Sequence, residues 1–91
     1  MAVVVRIPTQ LRSLSDGASE VKVEGDTVGE VLAALDRAHP GFEDRLYDDA
    51  GQLRRFVNVF VADEDVRFLK GLDTKVEPGT TVSIIPAVAG G

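Results

Sequence analysis

A chain of 91 residues has room for one domain and one core, with enough burial for stability without metals or disulfides. It contains no cysteine and a single histidine, His39, which excludes disulfide frameworks, thiolate or His-cluster metal sites and cysteine nucleophiles. The net charge of −5 argues against nucleic-acid binding, which needs a basic surface; it suits a partner with a basic docking face and is also ordinary for a soluble domain. At the N-terminus, "MAVVVRIPTQ" lacks the basic start and long apolar stretch of a signal peptide, and no apolar run has the length of a membrane span, so a cytoplasmic chain is expected.

"AVVVRI" (2–7) is β-branched and ends at Pro8, which predicts a strand. "LRSLSDGAS" reads as a loop with a turn at Asp16-Gly17. "SEVKVE" alternates, placing Val21 and Val23 on one face and Glu20, Lys22 and Glu24 on the other, so the two strands form a hairpin. In "GDTVGEVLAALDRAHPG", Thr27 and Glu30 make a capping box, and Val28, Val31, Leu32 and Leu35 form an apolar stripe at helical spacing that Pro40-Gly41 stops. Gly29 costs the helix up to about 1 kcal/mol relative to alanine, and close packing on the sheet is the expected reason.

"FEDRLYDDAGQL" reads as a short turn and a polar loop. "RFVNVFVADEDV" has period two, with Val57, Val59 and Val61 on one face and Phe56, Asn58 and Phe60 on the other. Asp63-Glu64-Asp65 is expected as a turn and "VRF" as a short edge strand, while Glu77-Pro78-Gly79-Thr80 has the signature of a type II turn. The last strand, "TVSII", sets Val82 and Ile84 against Ser83 and Ile85. One helix can roof one face of a four- or five-stranded sheet, which gives a two-layer α+β domain. The other face meets water, and Val4, Phe60 and Ile85 on it form a candidate partner-docking patch alongside Arg6, Asn58 and Ser83.

Catalytic chemistry finds no foothold. The carboxylates at 63–65 and at Asp48-Asp49 read as solvated loops, and His39 reads as a helix cap. The serines lack a nucleophile elbow, and no glycine-lysine phosphate loop is present. The chain is therefore expected not to be an enzyme and to hold no metal or cofactor.

The remaining feature is the end, "PAVAGG". Gly-Gly at a terminus arises by chance in roughly one chain in a hundred of this composition, so it is informative only if a compact body holds it out. Residues 1–86 are expected to form that body and 87–91 a flexible tail, because Pro86 tends to stop sheet pairing. The five tail residues reach roughly 17 Å when extended, at about 3.3–3.6 Å each. Val88, Ala89 and Gly90 shrink toward the end, so the tail can enter a narrow cleft and expose the Gly91 carboxylate to another protein. That carboxylate is anionic at neutral pH and a poor electrophile until activated as an acyl-phosphate-type ester.

"RFVNVFVADEDVRF" (55–68) and "PGTTVSIIPAVAGG" (78–91), with "VRIPTQLR" and "GDTVGEVL", resemble the ubiquitin-like sulfur carriers of the ThiS/MoaD family, and within it the CysO type. The resemblance covers nearly the whole chain and implies a β-grasp fold. It implies adenylation of Gly91 by an E1-like enzyme, conversion to a thiocarboxylate, and insertion of Val88, Ala89 and Gly90 into partner active sites. Sulfur would pass to a cysteine synthase that uses pyridoxal phosphate and O-phosphoserine, and a JAMM-type metallopeptidase would release the cysteine. ATP, pyridoxal phosphate and zinc would thus belong to the partners. The small subunit of molybdopterin synthase, or a carrier shared with thiosugar formation, is the alternative within the family. An inert-tailed ubiquitin-like binding module is the alternative outside it.

Overall fold

The computed structural model describes residues 2–54 and 57–86. The strands are β1 (Ala2–Arg6), β2 (Glu20–Glu24), β3 (Val57–Val61), β4 (Glu64–Asp65) and β5 (Thr81–Pro86). They form one five-stranded sheet in the order β2-β1-β5-β3-β4. The β1–β5 pair at its centre is parallel, and every other pair is antiparallel. Two helices, α1 (Val28–Ala38) and α2 (Phe42–Leu46), lie between β2 and β3 in the chain.

Alternation along the strands sends Val3 and Val5, Val23, Val57 and Val59, and Val82 and Ile84 to one face, where each is at most 7% exposed. The α1 stripe seals that face: Val28, Val31, Leu32 and Leu35 are at most 1% exposed. Full burial of each such side chain contributes about 1.5–3 kcal/mol. The Thr27 half of the capping box forms as the sequence predicts, while the Glu30 carboxylate returns to the residue before the N-cap. The Glu30 N–H donates to Thr27 Oγ1 at 3.3 Å, and the Glu30 carboxylate accepts from the Asp26 N–H at 3.5 Å. His39 is the C-cap, its N–H donating to the Leu35 carbonyl at 2.8 Å. Gly25 ends β2 where a Cβ would lie 2.8 Å from the Val31 backbone nitrogen, so no side chain fits between strand and helix. The 77–80 turn also forms: Thr80 N–H donates to Glu77 O at 3.0 Å, and Gly79 takes the positive φ of 84° that the turn demands.

Four expectations are corrected. Residues 42–46 are a helix, not a turn and loop, because Phe42 and Leu46 stand one turn apart and both are fully buried beneath α1. The turn after β3 is Ala62-Asp63, with φ of 49° and 78°, and Glu64-Asp65 pair back on β3 as the edge strand. "VRF" is a 3-10 turn, Val66–Phe68, because Val66 plugs the core and the Asp65 carboxylate caps the Arg67 N–H at 2.9 Å. Gly29 packs on the Gly71–Asp73 turn, not on the sheet: a Cβ there would lie 3.3 Å from the Leu72 carbonyl oxygen. Pro86, the last described residue, sits in the ladder opposite Val57. Among the described residues no helix is long and apolar enough to cross a membrane.

Candidate functional site

The tail, with Val88, Ala89, Gly90 and Gly91, lies outside the described residues; its root does not. β5 is the middle strand of the sheet, gripped by β1 through Val4↔Thr81, Val5↔Val82 and Arg6↔Ser83 and by β3 along all five residues, Val57 to Val61. Its own Val82 and Ile84 are driven into the core. Position 86 is held by β3 through Val57, at the end of a strand that β1 grips at residues 81–83 and the core holds at Val82 and Ile84, so a chain continuing from it starts at a defined point. A rigid root lowers the ordering cost of presenting the next residues to a cleft.

The open face is a mixed surface. Across one row run Glu20, Arg6, Ser83, Phe60 and Asp65; Lys22, Val4 and Thr81 form the next, and Ile85 stands opposite Asn58. The structure puts all three expected patch residues on this face, but not in one apolar block. Phe60 and Ile85 are near neighbours, two positions apart along the β3–β5 ladder, whereas Val4 lies across β5 toward Lys22. Val4 and Phe60 are half-buried, and Ile85 is 48% exposed. The Arg6–Glu20 pair on this face is 3.9 Å apart and exposed, so it is worth little.

Two residues beyond the expected patch stand out. Phe68 is 87% exposed and Leu69 41%; with Ile85 they are the large hydrophobics that meet solvent among the described residues. The turn carrying them is firmly held. Arg67 donates to Asn58 Oδ1 at 2.8 Å, to the Arg54 carbonyl at 2.9 Å and to the Val57 carbonyl at 2.8 Å. Since Val57 pairs with Pro86, Arg67 ties this turn to the strand end from which the tail departs. The alternating look of "VRFL" hides the exposure, because it reads as one more strand.

Two grooves flank the body. One of about 380 Å³ lies at the β5 end; its walls include Arg6, Arg12, Ile85 and Pro86 and no carboxylate. The other, about 860 Å³, runs along α1 and α2 and is lined by Asp36, Glu43, Asp44, Asp48 and Asp49 with Tyr47. There burial, and then the Glu43 carboxylate, push the Tyr47 phenol above its usual range. The Asp36 and Asp48 carboxylates already accept backbone N–H groups, from Gly41 and Glu43 and from Ala50 and Gln52. Their work is structural. Among the described residues no three acidic or histidine side chains converge as metal ligands.

Comparison with known proteins agrees with this layout. The chain matches the ThiS family over residues 5–91. It is 48% identical over 93 positions to the sulfur carrier protein CysO of Mycobacterium tuberculosis, with 100% of both chains covered. The crystal structure of the Amycolatopsis orientalis BexX/CysO complex superposes with a TM-score of 0.93 at 47% identity, covering 99% of this chain and 100% of that one. The small archaeal modifier SAMP1 of Haloferax volcanii gives 0.84 at 30% identity, with 100% of both covered. A central parallel pair, antiparallel edges and one roofing helix are the ubiquitin-like β-grasp arrangement shared with these proteins. The chain belongs to the ThiS family and is similar along its whole length to the CysO sulfur carriers within it.

Proposed function

We propose that this protein is a sulfur carrier whose working group is the Gly91 carboxylate, loaded as a thiocarboxylate and spent in cysteine formation. The observation that supports this best is the 48% identity to CysO across 100% of both chains. The clamped root of β5 is consistent with it, since it provides a rigid base for a tail that must thread a partner's cleft.

The chemistry needs no side chain of this protein. An E1-like enzyme lets a Gly91 carboxylate oxygen attack the α-phosphorus of ATP, and pyrophosphate leaves. Hydrosulfide, or its equivalent on a sulfur donor, attacks the resulting acyl carbon. AMP departs with the electron pair of the C–O bond, and a thiocarboxylate remains. In the acceptor, a cysteine synthase that holds pyridoxal phosphate, phosphate leaves O-phosphoserine and the carrier sulfur forms the new C–S bond. Cysteine is left as a thioester of Gly91; its amino group attacks the acyl carbon, the thiol leaves, and a JAMM-type metallopeptidase hydrolyses the resulting amide to restore the carboxylate. Val88, Ala89 and Gly90 occupy the narrow channel at each stop, where small side chains allow close backbone approach. A CysO protein is known in complex with a partner, BexX, which supports engagement of a carrier of this kind by a second protein.

Intact mass tests the reading. Incubation with an E1-like adenylating enzyme, ATP and sulfide should raise the mass by one oxygen-to-sulfur exchange, and a chain lacking Gly91 should stay unchanged. A full-length chain that never gains the exchange, or a Gly91-deleted chain that gains it equally, overturns the proposal.

A further inference from the structure

We propose that Arg67 is a positioning residue for the tail: its guanidinium takes the place of a sheet neighbour beside the start of β3, and so fixes the end of β5 from which Gly91 is presented. This rests on the sulfur-carrier reading for what the tail does, but not for how its root is held.

The sheet thins toward the tail. β1 ends at Arg6 and pairs with β5 at Thr81, Val82 and Ser83, so among the described residues Ile84, Ile85 and Pro86 have β3 as their one neighbour in the sheet. β3 is bare on its far side there, because β4 is two residues long and pairs with Phe60 and Val61. Ile84 is still held from beneath by the core, but Ile85 is 48% exposed, and Pro86 has no N–H to give to a ladder. These last two residues therefore depend on how firmly their partners, Asn58 and Val57, are placed.

Arg67 grips those two partners. It donates to Asn58 Oδ1 at 2.8 Å, to the Val57 carbonyl at 2.8 Å and to the Arg54 carbonyl at 2.9 Å, and the Arg54 carbonyl also accepts the Val57 N–H at 3.0 Å. One planar guanidinium thus ties together the 54–58 segment where β4 leaves it uncovered. The side chain reaches out from a fixed base. Val66 before it is fully buried, the Asp65 carboxylate accepts the Arg67 N–H at 2.9 Å, and the Leu69 N–H returns to the Val66 carbonyl at 3.0 Å. A lysine here would keep the charge but lose the planar fork that reaches all three oxygens. A root ordered in advance leaves less entropy to be lost when the tail enters a cleft; without the fork that ordering is deferred to the encounter and weakens binding.

Two measurements on Arg67→Lys test this, with the cap variant Thr27→Ala as the control for general loss of stability. Arg67 is exposed, so the variant leaves the core intact. Amide hydrogen exchange of the free carrier should quicken roughly fivefold at Asn58 and Ile85, the equivalent of one net hydrogen bond, and hold steady at Phe60 and Ser83 in the same ladder. Thr27→Ala should affect both ends alike. In ATP–pyrophosphate exchange by an adenylating enzyme, measured against carrier concentration, Arg67→Lys should raise the carrier KM roughly fivefold while kcat holds, and Thr27→Ala should leave KM in place. Amide exchange that changes equally at both ends of the ladder overturns the proposal, because Arg67 then serves the fold at large. A KM within about twofold of wild type overturns it, because order at the root then does not matter to the tail. A raised KM with unchanged amide exchange also overturns it, since Arg67 would then touch the enzyme directly. If a chain lacking Gly91 still supports ATP–pyrophosphate exchange, the carrier reading fails, while the amide measurement still judges the hold of Arg67 on the root.

Discussion

Along β5, Val82 and Ile84 are at most 2% exposed, while Ser83 and Ile85 between and beyond them face the open side, Ile85 at 48% exposure. The same six-residue strand therefore serves two masters. Its inward residues lock the sheet to α1, and its outward residues line the open face. Because side chains alternate with a period of two, the two tasks are separable residue by residue. Changes on the covered face should act on folding; changes on the open face should act on encounters with partners.

The sharpest way to break that division is a pair of truncations. Leu35→Ala removes a fully buried side chain from the helix roof and should cost about 2–5 kcal/mol. Ile85→Ser, at a half-exposed site on the open face, should stay within roughly 0.5 kcal/mol. Urea unfolding followed by circular dichroism reads both. Equal losses would show that the open face also carries the fold. Sulfur loading should respond in the opposite sense: intact for the folded fraction of Leu35→Ala, weakened for Ile85→Ser at full stability.

A smaller effect sharpens the same point at the edge of the roof. The Thr27 hydroxyl accepts the Glu30 N–H that starts α1. Thr27→Ala should cost about 1 kcal/mol and Thr27→Ser much less, because serine offers the same oxygen. The checking measurement is the shift in urea midpoint at constant m-value. If both variants unfold with the wild type, the box contributes nothing and α1 is held by its apolar stripe alone.

How much of this was legible in the chain follows from how local each signal is. α1 was readable because its stripe repeats for two turns and its cap and stop are adjacent in sequence, and the faces of β1, β2, β3 and β5 followed from strict alternation. α2 was not, since five residues with apolar groups only at Phe42 and Leu46 carry too little periodicity to distinguish a helix from a turn. The role of Gly29 depends on the Leu72 carbonyl, which is 43 positions away along the chain and close only after folding. At the candidate site, the Gly-Gly end was the strongest clue in the sequence. Phe68 gave none, because its exposure is decided by Val66 turning inward and Arg67 reaching back to β3. Val4 was drawn into the patch by alternation, which assigns a face but not a neighbourhood.

The gentlest probe of the division is alkaline pH, and it acts through Tyr47, far from the open face. Tyr47 ends α2 and lines the acidic groove, where burial and Glu43 both disfavour the phenolate. Its folded-state pKa is therefore raised above the ordinary value of 10.0. The unfolded chain releases the phenolic proton first, so above that pH the folded state binds more protons and stability must fall as pH rises. The contribution is fully present below the unfolded pKa and is lost as pH climbs through the folded one. Between wild type and Tyr47→Phe, the stability difference should hold steady at neutral pH and move against the wild type once pH exceeds about 10. Sulfur loading at neutral pH should be the same for both. Unfolding curves that stay parallel through the alkaline range would mean that the Tyr47 hydroxyl is solvated in the fold, and that the groove it lines is more open to water than its packing indicates.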